Sequence, residues 1–240
     1  MNNEINLARK IFITIKMIVK ILIKIKKRKI KNLLYWFKSF WFKGSQSNSL
    51  SDEKPWLVIN AISFLEKYVS SGINLVYEFG SGGSTLFFAS KAKKVISIEH
   101  NAEWYSKVKC KLLENNFVNV KLNLIEPELY SSNNIPFYYF SSSPGYYKMS
   151  FKKYVDSILS YNDNFFDIIL IDGRSRPGCL ANSFNKVKVN GLIVFDNSER
   201  DSYQNDLTNL PKNFEVMHKF KGPSPYCEDF NCTTIIRRKY

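Results

Sequence analysis

The fold class is decided by one stretch of this 240-residue chain, Leu75-Val-Tyr-Glu-Phe-Gly-Ser-Gly-Gly-Ser-Thr85. An apolar strand runs into Glu78 and then into closely spaced glycines, and a helical run, LFFASKA, follows at once. A strand, a glycine turn and a helix in this order allow the backbone to approach a nucleotide-like ligand closely. Position 85 is Thr, so the dinucleotide pattern G-x-G-x-x-G is incomplete. A carboxylate at this strand end also disfavours a pyrophosphate and favours a cationic ligand group.

Three further apolar segments of the sequence end in acids. Residues 94–99 end in Glu99, residues 165–172 end in Asp172, and residues 190–196 end in Asp196. Glu99 follows the glycine turn at close to the ~20-residue spacing at which a carboxylate meets ribose hydroxyls. Because ligands of open α/β sheets bind at the carboxyl ends of the strands, we expect these acids and Glu78 to share one rim.

The motifs EFGSGGST, SIEH, LIDG and FDNSER, in this order, resemble those of class I S-adenosylmethionine-dependent methyltransferases. The resemblance covers residues 54–240 and implies a Rossmann-like α/β fold. That fold has a seven-stranded, mostly parallel sheet with helices on both faces and a C-terminal antiparallel strand pair. The resemblance implies a cofactor site formed by Glu78, Gly80, Ser81, Gly82, Ser84, Thr85, Glu99 and His100, with Glu99 on the ribose. Ser84 stands where the family has its last glycine, so we expect a tighter or hydroxyl-assisted turn.

Asp172 is expected near the reacting methyl group. Asp172, Asp196 and Asn197 resemble the oxygen ligands of catechol-type O-methyltransferases, which implies Mg²⁺ or Mn²⁺ as a candidate metal. The catalytic lysine of that subfamily is replaced here by Ser175. The alternative is that Asp172 holds the acceptor or acts as the base, and that Asp196 and Asn197 cap the following turn.

Two arginines follow Asp172 directly. Arg174 and Arg176 could clamp a carboxylate or phosphate of the acceptor, and the alternative is that they pair with Glu199 or Asp201. Residues 126–150 form a long aromatic insertion that either closes over the acceptor or covers the sheet edge as a hydrophobic cluster. The expected reaction is O-methylation of a small molecule, a glycan or a lipid-linked sugar. The rival functions are a non-catalytic membrane-associated protein with a degenerate fold and an NAD-dependent nucleotide-sugar oxidoreductase.

The net charge of +14 is concentrated at the N-terminus. Residues 1–43 carry 12 Lys and Arg against Glu4, a net charge of +11, whereas residues 44–240 carry 23 basic and 20 acidic residues, a net charge of +3. We therefore expect no nucleic-acid partner for the domain at 54–240, which follows a polar linker at 44–53.

The N-terminal segment is expected to be an amphipathic helix. Lys16, Lys20, Lys24 and Lys31 form its basic stripe, and an aromatic cluster at 35–42 suits a lipid interface. The expected location is cytoplasmic, peripheral on the inner membrane face through residues 10–43. The alternatives are that this helix packs on a partner or on a second copy of the chain, or that the isoleucine-rich segment is β-prone.

Overall fold

The computed structural model describes residues 6–24, 30–41, 48–69, 72–130 and 136–240. Three helices precede the sheet: α1 (Leu7–Lys24), α2 (Ile30–Trp41) and α3 (Ile59–Val69). The first half of the domain is β1 (Leu75–Phe79), α4 (Gly83–Ala89), β2 (Lys94–Glu99), α5 (Ala102–Glu114) and β3 (Val120–Leu124). The insertion carries a two-stranded sheet, β4 (Glu128–Leu129) and β5 (Met149–Ser150). The second half is α6 (Lys152–Asp156), β6 (Phe166–Ile171), α7 (Arg176–Ser183), β7 (Val187–Asp196), α8 (Gln204–Thr208), β8 (Phe214–Pro223) and β9 (Phe230–Arg238).

The main sheet has seven strands in the order β3-β2-β1-β6-β7-β9-β8. The first five are parallel, and β9 pairs antiparallel with both β7 and β8. The predicted fold class is therefore confirmed. The strand order reverses between β1 and β6, and ligands of such sheets bind at the carboxyl ends of the strands beside this reversal.

The central strands are buried on both faces, which explains their continuous apolar sequence. Along β1, Tyr77 and Phe79 face one core with α6 and α7, while Val76 faces the other core with α3 and α4. Strands β6 and β7 alternate in the same way. The sequence predicts strands at 75–79, 94–99 and 166–171, and β1, β2 and β6 have these bounds. The strands predicted at 191–196, 214–220 and 233–238 are three or four residues longer in the structure, as β7, β8 and β9.

The N-terminal helices pack on the domain. Ile13 and Met17 of α1 and Trp36 and Phe40 of α2 form a buried cluster with Ile59. The indole Nε1 of Trp36 donates to the backbone oxygen of Cys227 at 2.8 Å. The expectation that Trp36 and Phe40 face lipid was therefore wrong, because their side chains are buried against the protein.

The first two lysines of the basic stripe face the domain. Lys16 and Lys20 contact Asp229 at 3.1 Å and 2.6 Å, and Arg9 contacts Glu228 at 3.3 Å. The side chains of Lys24 and Lys31, and residues 44–47 of the predicted linker, lie outside the described residues. Of the helices that the structure describes, none is long and apolar enough to span a membrane.

Candidate functional site

The turn between β1 and α4 packs directly against the loop that follows β6. Gly80 has φ +95°, and a Cβ atom there would lie 2.8 Å from Cα of Gly173, so the position requires glycine. A Cβ atom on Gly83 would lie 1.9 Å from the backbone oxygen of Ser49. These glycines allow three chain segments to converge at the carboxyl edge of the sheet.

Glu78 lies beneath this turn, with 0% of its surface exposed. Its carboxylate accepts hydrogen bonds from the hydroxyls of Ser84, Thr85 and Ser97, the last at 2.6 Å. Burial raises the pKa of Glu78 to about 7, although the three hydroxyls oppose the shift. Glu78 and Thr85 are not among the residues that line the cavity described below. That they contact a cofactor stays a prediction. The prediction of a hydroxyl-assisted turn is confirmed, because Ser84 and Thr85 satisfy the buried carboxylate.

Glu99 ends β2 at the rim. Its Oε2 accepts from the backbone N–H and the hydroxyl of Ser81 at 3.0 Å and 2.9 Å. Its Oε1 accepts from the backbone N–H groups of His100 and Asn101 at 2.8 Å and 2.9 Å. Burial alone would raise the pKa of Glu99, but hydrogen bonds from His100 and Asn101 lower it below the ordinary value. Nδ1 of the His100 imidazole also lies 2.9 Å from Oε1. Glu99 is therefore an ionised acceptor whose lone-pair positions are all in use.

Asp172 and Asp196, at the ends of β6 and β7, share the guanidinium of Arg176. Its Nη2 lies 3.0 Å from Oδ1 of Asp172, and its Nη1 lies 3.7 Å from Oδ2 of Asp196. Nη1 also donates to the backbone oxygen of Asp196 at 2.6 Å, and Nε donates to that of Gly173 at 3.1 Å. Burial raises the pKa of Asp172 to about 6, and burial with the nearby Asp172 charge raises the pKa of Asp196 to about 7.

The described residues do not fit the predicted metal site. A guanidinium already bridges the two carboxyl groups, and Oδ1 of Asn197 accepts from Nη2 of Arg200 at 2.9 Å. Within the described parts of the chain, no group of three or more His, Cys, Asp or Glu side chains is placed to hold a metal ion. The chemistry of this rim is therefore that of a buried arginine and two carboxyl groups.

The side chain of Arg174 makes different contacts from that of Arg176. Its Nη1 donates to the hydroxyl of Ser143 at 2.5 Å, its Nε donates to Nε2 of His100 at 3.4 Å, and its Cζ lies 5.3 Å from the ring centre of Tyr146. No carboxylate among the described residues pairs with Arg174. The expected pairing of these arginines with Glu199 or Asp201 does not form either, because Oε2 of Glu199 accepts from the backbone N–H of Cys232 and Arg176 pairs within the rim.

The insertion contributes one tyrosine to the core and another to the cavity wall. Tyr139 is buried in the core beneath α7, and its hydroxyl donates to Asp156 at 2.9 Å. Tyr146 instead lines the cavity beside His100, with ring centres 5.3 Å apart. Tyr139 therefore packs in the core, and whether the insertion closes over an acceptor stays a prediction.

These groups surround a cavity of about 720 Å³, a volume within the range of small-molecule and cofactor sites. The structure brings together ten of the residues predicted for the site, namely Gly80, Ser81, Gly82, Ser84, Glu99, His100, Asp172, Arg174, Asp196 and Asn197.

Sequence reasoning missed several residues of the wall. Trp104 lies on the first turn of α5, and its Nε1 donates to the backbone oxygen of Ser81 at 2.8 Å. Trp104 could have been predicted from its position five residues after Glu99, because the helix after β2 begins at the rim. The other missed residues include Ser49, Trp56, Arg200 and Asn231, which lie far apart in the sequence.

Comparison with solved structures identifies the fold. A candidate O-methyltransferase from Klebsiella pneumoniae is similar with a TM-score of 0.55 and 13% identity, over 96% of this chain and 99% of that one. A candidate methyltransferase from Streptococcus mutans, solved with S-adenosylhomocysteine (SAH), has a TM-score of 0.51 and 15% identity, over 73% of this chain and 96% of that one. An rRNA methylase from Streptococcus thermophilus has a TM-score of 0.51 and 11% identity, over 74% and 95%.

The chain therefore has the Rossmann-like fold of class I methyltransferases. No protein-family model matches the sequence, and no curated protein matches it.

Proposed function

We propose that this chain is an S-adenosylmethionine-dependent methyltransferase. The observation that carries the proposal is the position of Glu99, an ionised carboxylate on the wall of a cavity beside a glycine turn at the strand-order reversal. The fold supports it, and one protein of this fold was solved with SAH. The cofactor supplies an activated methyl group when bound. The turn residues Gly80–Gly82 would hold its methionine end, and Glu99 would accept from its ribose hydroxyls.

Ribose binding requires a change at Glu99, because its lone pairs are all in use. The hydroxyl of Ser81 is the donor that leaves most easily, since it rotates about one bond. Three of the other donors are backbone N–H groups, and the imidazole of His100 is contacted on its other side by Nε of Arg174. We infer that a ribose hydroxyl replaces it at Oε2.

Asp172 is the base of the proposed reaction. Its side chain faces the cavity, and a pKa of about 6 leaves it mostly ionised at neutral pH yet basic enough to take a proton from an acceptor hydroxyl. Arg176 fixes the carboxylate at Oδ1. Arg174 has no carboxylate partner among the described residues, and it would bind a carboxylate or phosphate of the acceptor.

The proposed acceptor is a small molecule, a glycan or a lipid-linked sugar, methylated at oxygen. The membrane part of this proposal, a peripheral location on the inner membrane face, is supported by the net charge of +11 on residues 1–43.

The test is calorimetric titration of the full chain with S-adenosylmethionine, SAH and NAD. Glu99→Gln removes one charge and one acceptor, so we expect its affinity for both adenosyl ligands to fall about 10- to 100-fold. The matched control is Glu103→Gln, an exposed acid of the neighbouring helix, and it should bind as the wild type does. Failure of the wild type to bind SAH would refute the proposal, and binding of NAD alone would make the chain an oxidoreductase.

A further inference from the structure

The exposed side of α1 carries a row of apolar side chains from Leu7 to Val19. Five side chains, Leu7, Ile11, Phe12, Ile15 and Val19, are between 45% and 68% exposed. Their spacing of three and four residues places them on one face of the helix. We call these five side chains the outward face.

The opposite side of α1 is packed against the protein. Ile13 and Met17 are buried against α2 and α3, and Thr14 is buried with them. The edge between the two sides carries the cations, and there Lys16, Lys20 and Arg9 contact Asp229 and Glu228 of the segment before β9. Lys16, Lys20 and Arg9 therefore attach the helix to the domain and leave the outward face uncovered by the described residues.

We propose that the outward face of α1 enters the headgroup region of an anionic lipid bilayer, with the helix axis parallel to the membrane plane. A helix of 18 residues is about 27 Å long, so a row of apolar side chains on one side fits an interfacial and not a spanning position. The inference deepens the membrane part of the proposed function and does not depend on methyl transfer.

Charge favours an anionic bilayer over a second copy of the chain. Residues 24–31 of the sequence hold six basic residues and no acid. Each basic residue near an anionic leaflet adds about 1 kcal/mol of attraction. A dimer through the outward face would instead bring together two segments of net charge +11 each. A stable interface also buries about 800 Å² from each partner, more than five partly exposed side chains supply.

The test is sedimentation of the full chain with vesicles of phosphatidylglycerol and phosphatidylcholine, and with vesicles of phosphatidylcholine alone. The outward variant is Phe12→Ser with Ile15→Ser. The matched control is Leu113→Ser with Val118→Ser, two exposed apolar residues that precede β3. β3 is the edge strand of the sheet opposite to the β9-β8 edge. Both variants are first required to melt and to bind SAH as the wild type does, and a change confined to SAH binding would concern the proposed function instead.

We expect the wild type and the control to bind the anionic vesicles and the outward variant to bind at least tenfold more weakly. Equal binding of the outward variant would overturn the proposal, as would equal binding of the wild type to both vesicle types. If the wild type does not bind vesicles but is a dimer, and the outward variant is a monomer, the outward face contacts a second copy of the chain instead.

Discussion

Arg176 is the residue whose removal tests the rim most directly. Its guanidinium is almost fully buried, contacts both Asp172 and Asp196, and donates to three backbone oxygens. Arg176→Leu keeps an apolar stem of similar length and removes the charge and all these donors. Removing one partner of a buried ion pair costs about 3–5 kcal/mol, because the other partner stays buried without compensation. For a chain of this size that corresponds to a fall of about 6–20 °C in the melting temperature.

The assay is calorimetric unfolding of the wild type and the variant at pH 5.5 and pH 8. We expect the loss to be larger at pH 8, because the two carboxyl groups can be neutralised by protons at the lower pH. The control is Arg174→Leu, which removes an arginine of the same loop that has no carboxylate partner among the described residues, and should cost less than about 1 kcal/mol. A loss of the same size at both pH values would show that Arg176 matters for packing alone, and a loss below about 1 kcal/mol would refute the argument for a buried charge network.

Three further predictions concern the turn between β1 and α4. The folded protein holds a proton on Glu78 up to a pKa of about 7, whereas the unfolded chain releases it near its ordinary value of 4.5, so this group makes stability fall as pH rises between these values. In denaturant unfolding, Glu78→Gln should reduce the difference in the free energy of unfolding between pH 5 and pH 8 by up to about 3 kcal/mol. If this difference is the same in the variant and the wild type, Glu78 is ionised in the folded protein. Gly80→Ala should lower stability and SAH affinity much more than Gly72→Ala, because both glycines have positive φ but only Gly80 has backbone atoms within 3 Å of the added Cβ; equal melting temperatures would contradict this. Ser81→Ala should bind SAH at least as tightly as the wild type, since ribose replaces that hydroxyl at Glu99; a tenfold weaker affinity would mean that Ser81 contacts the ligand instead.

The sequence was sufficient to predict the sheet and the edge at which the site lies. The strands that carry the site are mostly apolar, and each ends at or directly before a glycine or a polar residue, so β1, β2 and β6 were bounded correctly. Bounds were less accurate for β7, β8 and β9, because residues 188–190 of β7 are partly or fully exposed and β8 and β9 extend to the loop that contacts the N-terminal helices.

The role of Glu78 could not be read from its position near a strand end. It is the fourth of five residues in β1, so its side chain points to a face of the sheet, whereas Glu99 is the last residue of β2 and Asp172 follows the last residue of β6. A side chain inside a strand reaches the core beneath α4, and only a side chain at the end reaches the cavity. The hydroxyls at positions 84 and 85 were the local signal that a buried carboxylate needed donors.

The partners of the N-terminal cations could not be predicted from the sequence either, because they lie more than 200 residues away along the chain. From its sequence alone, an amphipathic helix has two candidate contact surfaces, one formed by its cations and one by its apolar residues. The structure shows that both surfaces contact the domain in part. Asp229 and Glu228 pair with the cations, and one apolar side of the helix packs in the buried cluster.

The four rim acids show why counting charges does not give the electrostatics of the site. All four carry a formal negative charge in the sequence, yet each has a different environment. The imidazole of His100 and the backbone N–H groups beside it keep Glu99 ionised. Three hydroxyls donate to Glu78, but burial outweighs them and its pKa is about 7. Asp172 and Asp196 share one guanidinium, so at neutral pH this trio carries little net charge. The negative charge that a cationic ligand meets is therefore concentrated at Glu99, and a variant that changes any other rim acid should alter ligand affinity less than Glu99→Gln does.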